Sequence, residues 1–339
     1  MTANGWVRLH ATAIRWAVSV AMVATAGCES YFYQEKAHKH VVAGEDFLQD
    51  DELDLALAEF REAIRLDPKL ATAHARIGRI HKRRGEFDEA VPPFEQAVKL
   101  DPTNFDHAFD LAETYRLLKR TSDALRAYLH AHDLKPDRFE ACLNLGVCYH
   151  QMGRLPEAIT YYQKAIALNP NHAGAHSNLG AAYDSQGKYY EAIGAYRESL
   201  ERDALQPIVL VNLGTTYMKQ HRFRMAEITI RKALEMDPHL AMAYERLGHA
   251  LYRQERYDQA VEAYERAIAL NPKDGVGHAG MGVVRMTQFL LDPTQTAMRD
   301  KAVEHWHRSL ELDPNQPKLR RLLDKYEPAA VAKAPVLEP

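Results

Sequence analysis

Seventeen histidines in 339 residues are the first side chains to ask for chemistry, because imidazole is the commonest metal ligand and the usual proton carrier near neutral pH. Four of them, His40, His74, His176 and His278, fall on a grid of 34 residues. Side chains one period apart sit on separate helices, about 8 to 10 Å from each other. Two nitrogens bonded to one zinc at about 2.1 Å are only about 4 Å apart or less, so one histidine per period makes no site. His130 and His132, like His305 and His307, are two residues apart and point to different sides of a helix. His172 and His176 have the better spacing of four, but His172 falls in a turn. Cys142 and Cys148 are separated by about 9 Å of helical rise, beyond the roughly 7 Å that a disulfide spans, and read as small core residues. HExxH, P-loop, GxSxG and Rossmann glycine signatures are all missing. The sequence predicts no catalytic residue, no metal and no cofactor.

What does recur at useful positions is hydrogen-bonding and charge. Asn144, Asn178 and Asn212 occupy one position of the same grid. A carboxamide both donates and accepts, so a row of them can hold the main chain of an extended peptide whatever its side chains. Arg76, Arg79, Lys82 and Arg83 form a basic block, followed one period on by Asp106, Asp110, Glu113 and Arg116. Two readings of these charges stay open. They pair across adjacent helices, contributing about 0 to 1 kcal/mol each, or the basic block takes an acidic segment of a partner and steers its approach.

The elements that carry these residues repeat. Prolines stand at 68, 102, 136, 170, 238 and 272, with Ala204 in the missing place. Gly44, Gly78, Gly146, Gly180, Gly214, Gly248 and Gly282 share a second position, with Ala112 in the third repeat. Alanine holds a third position throughout, and four residues on stands Phe60, Phe94, Tyr128, Tyr162, Tyr196, Ile230, Tyr264 or Trp306. Each period reads as two amphipathic helices, A and B. Small residues let the two approach closely, and the large residue fills the space beside them. Gly85, Gly153 and Gly187 fall at the A-to-B turn, where positive φ ends a helix well. Leu-Asp-Pro stops helix B. In repeat five Pro207 starts the next helix in place of the lost stop.

These landmarks, seen together in Leu145-Gly146, Tyr149, Ala158, Tyr162, Ala165 and Pro170, resemble the tetratricopeptide repeat (TPR) pattern. The resemblance implies an all-α, right-handed superhelical solenoid. Eight repeats are expected over 37–316, at 37–70, 71–104, 105–138, 139–172, 173–206, 207–240, 241–274 and 275–316. A capping helix follows over 317–327 and a disordered tail over 328–339. The eighth repeat is eight residues longer, with helix A reaching about Leu291 and a turn at Asp292-Pro293. Phe289, Leu290 and Leu291 either face a partner or pack back on the end of the solenoid.

The first 15 residues carry Arg8 and Arg15 and no acid, and an apolar run from Trp16 to Ala26 leads to Gly27-Cys28. That is the layout of an export signal over 1–27, too short for a comfortable membrane span. Ala26-Gly27-Cys28 resembles the end of a bacterial lipobox, which implies lipidation of Cys28 and a tether over 28–36. Ala24-Thr25-Ala26 is an alternative cleavage site giving a soluble periplasmic protein, and an uncleaved anchor is a third outcome.

Net charge is -3, and no global basic field argues for nucleic acid or a membrane surface. The resemblance implies that helices A line a concave groove holding extended peptide segments, and the asparagines resemble the ladder of O-linked N-acetylglucosamine transferase. The chaperone-binding carboxylate clamp is not expected, since Ala75 and Arg79 stand at its positions in repeat two. The expected function is a non-enzymatic scaffold for proteins of the bacterial envelope, resembling TPR lipoproteins. Alternatives are a recruiting subunit of a glycosyltransferase or peptidoglycan hydrolase, a pilus-secretin assembly lipoprotein, and a cytoplasmic co-chaperone. Neither nucleic acid nor a small-molecule substrate is expected, and the membrane is touched only through the lipid.

Overall fold

The structure, a computed structural model, describes residues 32–327. The expected signal, Cys28 and the 328–339 tail lie outside the described residues. Among those residues every regular element is a helix. Helix α1 covers 32–49. It is followed by α2 (Leu53–Leu66), α3 (Ala71–Arg83), α4 (Phe87–Leu100), α5 (Phe105–Leu117), α6 (Thr121–Leu134) and α7 (Phe139–Gln151). Then come α8 (Leu155–Leu168), α9 (Ala173–Ser185), α10 (Tyr189–Arg202), α11 (Pro207–Lys219), α12 (Phe223–Met236), α13 (Ala241–Tyr252) and α14 (Tyr257–Leu270). The last three are α15 (Gly275–Leu291), α16 (Thr296–Leu312) and α17 (Pro317–Tyr326). Residues 32–36, expected as tether, are already helical, with Lys39 bridging back to Glu35 at 2.8 Å.

The chain divides into two compact units, residues 1–154 and 155–339. In each, a helix packs on its sequence neighbours, and successive odd-numbered helices also touch, as α3 with α5 and α11 with α13. No pair of even-numbered helices makes comparable contact. The odd, or A, helices therefore form the tighter layer within each unit. The core is local: one cluster joins Phe60 to Ile77 and Ile80, another joins Tyr196, Leu213, Ile230, Leu247 and Tyr264. Each such large side chain contributes about 1.5 to 3 kcal/mol by leaving water, and no single repeat could bury its own.

Every A-to-B turn from repeat one to repeat seven has the same geometry. A residue at 51, 85, 119, 153, 187, 221 and 255 takes positive φ. The next amide then reaches five residues back, as Glu86 N to His81 O and Arg222 N to Tyr217 O, both 2.9 Å. This pairing satisfies a carbonyl that the helix end leaves over. Only Gly85, Gly153 and Gly187 supply glycine; Asp51, Lys119, His221 and Glu255 hold the same conformation with a side chain.

Where an aspartate precedes the proline, the B-to-A turn rests on it as much as on the proline. Asp67 accepts from Lys69 N at 3.0 Å and Asp237 from His239 N at 2.9 Å, each a side-chain turn of the Asx kind. Where proline is lost at Ala204, Asp203 still accepts from Leu205 N at 3.0 Å, and Pro207 opens α11. Gln206 closes the gap by donating to Asp203 O at 2.7 Å and Ser199 O at 3.2 Å. Gln316, before Pro317, makes the same bonds to Asp313 O and Ser309 O.

In repeat eight the extra residues are shared. Helix α15 gains four over its counterparts, α16 gains three, and the turn gains one. The sequence placed the lengthening on helix A; the structure keeps the pair balanced, one added turn facing another. Phe289 packs with Trp306, Val303 and Leu319, while Leu290 and Leu291 are exposed.

Candidate peptide-binding face

The layer of A helices presents a lattice of side chains. Positions two, six and nine of a repeat share one helical face, and within each unit the same positions line up from helix to helix. Within 1–154, position six is tied sideways to position nine of the preceding repeat. Arg76 Nε donates to Glu45 at 2.5 Å, and Arg79 Nε donates to Asp110 at 2.6 Å. Lys82 donates to Asp110 and Glu113, each at 2.8 Å, and Arg83 lies 2.7 Å from Asp51. Burial pulls Lys82 down, but its hydrogen bonds to Asp110 and Glu113 outweigh that and hold it above the usual lysine range. The basic block is thus engaged inside its own unit, and its charges are largely answered.

The asparagines stand at the same position six without such partners. Asn144 is half-buried on α7, and Asn178 and Asn212 are half-buried on α9 and α11. Among the described residues none of the three carboxamides hydrogen-bonds to another part of the chain, whereas Asp110 and Arg76 both do. For Asn212 the preceding position nine is Ala181, which offers it nothing. Buried or half-buried amides normally find partners, so these have donors and acceptors in hand.

The histidines shared by four repeats are architectural. His74 Nε2 lies 3.1 Å from Pro68 O and His176 Nε2 3.0 Å from Pro170 O, which pins each A helix to the turn before it. His40 bonds to Glu59 at 2.6 Å, and His278 to His305 at 3.0 Å. Cys142 and Cys148 are buried and not joined in a disulfide, and burial pushes Cys148 up to about 11, far from the reactive thiolate range. Among the described residues no three His, Cys, Asp or Glu side chains converge as a metal site would need. No helix among them is long and apolar enough to cross a membrane.

The sequence profile described as the Cilia and flagella-associated protein 70 C-terminal domain, a TPR domain, matches residues 35–281. The chain belongs to this TPR family. Among solved structures it is similar to a chain of the APC/C hetero-tetramer Cut9-Hcn1, with a TM-score of 0.59 and 19% identity over 81% of this chain and 53% of that one. This chain therefore spans about half the length of that relative. It is also similar to the C-terminal part of a TPR repeat-containing protein from Cytophaga hutchinsonii, with a TM-score of 0.57 and 18% identity over 73% and 98% of the two chains. A TPR protein from Parabacteroides merdae gives a TM-score of 0.55 and 18% identity over 74% and 99%. At such identities the likeness is one of fold. None of the curated proteins matches the sequence.

Set in the TPR frame, the pairing of the repeat-two block with Asp110 and Glu113 is the first of the two readings of those charges, while the partners in repeat one, Glu45 and Asp51, are what sequence reading missed. The signal was present: Glu45 stands 31 residues before Arg76, and Arg79 stands 31 before Asp110. A charge pair at one repeat less three residues marks it.

Proposed function

We propose that this TPR chain is a non-enzymatic scaffold whose A-helix face holds extended segments of partner proteins. The observation that carries the reading is the contrast at position six. In repeats two and three it is an ion-paired residue; in repeats four, five and six it is an asparagine with unspent hydrogen-bonding capacity. A carboxamide both donates and accepts, as Asn144 can in the first unit and Asn178 and Asn212 can on the touching helices α9 and α11 of the second, and so matches the alternating donors and acceptors of an extended main chain.

The place of action we propose is the bacterial envelope, with the chain exported and held by a lipid on Cys28. The support is the sequence of the first 28 residues, where a basic stretch, an apolar run and Ala26-Gly27-Cys28 follow in order. Several acyl chains on one cysteine suffice for stable anchoring, at about 0.8 kcal/mol per buried CH2.

Photo-crosslinking in cells from the position-six side chains tests the scaffold. Replacing Asn144, Asn178 and Asn212 together with Ala weakens partner capture and leaves helical circular dichroism unchanged; undiminished capture overturns the reading. Labelled palmitate enters the wild type and not the Cys28→Ala variant; label in that variant overturns the lipid anchor.

A further inference from the structure

Position two of the A helices is open to solvent in repeats one to four and six to eight, so packing does not dictate its residue. In repeats one to four it holds His38, Thr72, Asp106 and Glu140. In repeats six, seven and eight it holds Ile208, Met242 and Val276, which are 47%, 40% and 58% exposed. Scattered apolar residues on a surface need no explanation. Three at one lattice position on successive, mutually touching helices α11, α13 and α15 form a continuous apolar row.

From one to three helical turns along from that row the face is cationic. Arg246 and His249 follow Met242 on the same side of α13, and Arg253 closes the helix. Arg253 lies over the Phe223 ring at 4.4 Å, and among the described residues it has no acidic partner. Among the same residues Arg246 pairs with Glu245, its chain neighbour, at 3.0 Å. Burial raises Glu245 above the usual carboxylate range, which weakens it as a counter-ion. His249 reaches solvent yet is desolvated by surrounding protein, and Arg253 and Arg246 add to the depression of its pKa. The carboxylate of Asp274, near the row, is already used in capping Val276 N at 3.1 Å.

We propose that the row Ile208, Met242 and Val276, with Arg246 one turn along α13 beside it, binds an acidic, proline-containing extended segment of a partner protein that carries an apolar residue at every third position. The spacing argues for this occupant. Neighbouring packed helices stand about 8 to 10 Å apart. A polyproline II segment returns the same face every three residues, about 9.3 Å, and stays in step with the row. A β-strand repeats its face about every 6.6 to 6.8 Å and falls out of step by the second contact. A crossing α-helix repeats at about 10.5 Å and drifts by about 20° per heptad. The acidic residues answer Arg246 at short range and the cationic run toward Arg253 at longer range, and that charge complementarity favours the encounter. This inference rests on the scaffold reading and names the partner class for one stretch of the same face.

The test uses the full chain and three synthetic peptides of four triplets each: Leu-Pro-Glu, Ser-Pro-Glu and Leu-Pro-Lys. Titration calorimetry is expected to show the Leu-Pro-Glu peptide binding about tenfold or more tightly than either control. The triple variant Ile208→Ser, Met242→Ser, Val276→Ser is expected to lose that margin while its melting curve is unchanged, because all three side chains are exposed. Equal binding of the three peptides, no binding of any, or full binding by the triple variant overturns the proposal. Loss of binding in Asn212→Ala with full binding by the triple variant overturns it too, and leaves the scaffold reading standing. If removal of residues 328–339 confers binding that the full chain lacks, the row belongs to the chain's own tail, and the partner assignment is overturned.

Discussion

The backbone of Gly78 lies flat against the ring of Phe94: a methyl group built on its Cα would meet Cδ1 and Cγ at 2.8 Å. Both residues are fully or nearly buried, and their helices, α3 and α4, are the two halves of one repeat. The same relationship joins Gly44 to Phe60, Gly180 to Tyr196 and Gly248 to Tyr264. Gly78→Ala is therefore expected to destabilise unit 1 by about 1 to 3 kcal/mol through overpacking. Denaturant unfolding measures it, and an unchanged midpoint would contradict this packing. Repeat three carries Ala112 against Tyr128, and there Ala112→Gly is expected to cost about 0.5 to 1 kcal/mol through the freer backbone of the unfolded chain.

Lys119 and His221 hold φ of 59° and 58° at turns where Gly85 and Gly153 do so freely. A residue with a Cβ pays about 1 to 2 kcal/mol there. Lys119→Gly and His221→Gly should each raise stability, by about 1 kcal/mol or somewhat less once the added freedom of the unfolded chain is counted. A fall in the thermal midpoint of either variant would count against the turn geometry.

Asp110 is buried and anchors both Arg79 and Lys82. Its replacement by Ala strands two cations that are partly screened by water, with an expected loss of about 1 to 2 kcal/mol. The loss should shrink in high salt. A double-mutant cycle with Arg79→Ala checks it; zero coupling energy would remove the lateral pair from the account.

Acid should loosen both units. Burial holds His107, His150, His249 and His305 below the ordinary histidine range, and the adjacent His278 depresses His305 further. The unfolded chain thus binds more protons than the folded one as pH falls below about 6.5, so stability is full above that value and is lost on the way down. Glu245, raised by burial, acts with the opposite sign: its folded carboxyl keeps a proton that the unfolded chain gives up above about 4.5. Glu245→Gln should therefore stabilise the chain at neutral pH, and His305→Gln should flatten the acid limb between about pH 6.5 and 5. Denaturant titrations across pH read both, and an unchanged acid limb in His305→Gln would rule out the imidazole pair as a contributor.

The helix pairs, the glycine-against-ring contacts and the seven-fold recurrence of turns were legible because each depends on residues of extreme shape repeated at one interval. Gly78, Phe94 and Pro68 each allow little else. What lay beyond reach was set by geometry between chemically ordinary residues. Nothing in the letters of Asp51, Lys119, His221 or Glu255 announces a positive φ; position in the grid announces it, and only after Gly85 and Gly153 are recognised as occupants of the same place. Pro92 and Pro93, in the middle of α4, would have argued for a break there. They are tolerated because Pro92 is exposed and Pro93 half-buried, while Val91 and Phe94 anchor the helix on either side. The candidate site divides in the same way. The asparagine row could be read at once, but whether the arginines of repeat two were available turned on Glu45, Asp51 and Asp110, which belong to neighbouring repeats.

One property of the stacking has a mechanical corollary. Within residues 155–339 each helix leans mainly on its immediate neighbours along the chain, so the array behaves as a line of joints that yield a little each. A segment seated across Ile208, Met242 and Val276 would bridge the joints from α11 to α15 at once. It would act as a splint, and occupancy would be felt as stiffness well outside the residues it touches.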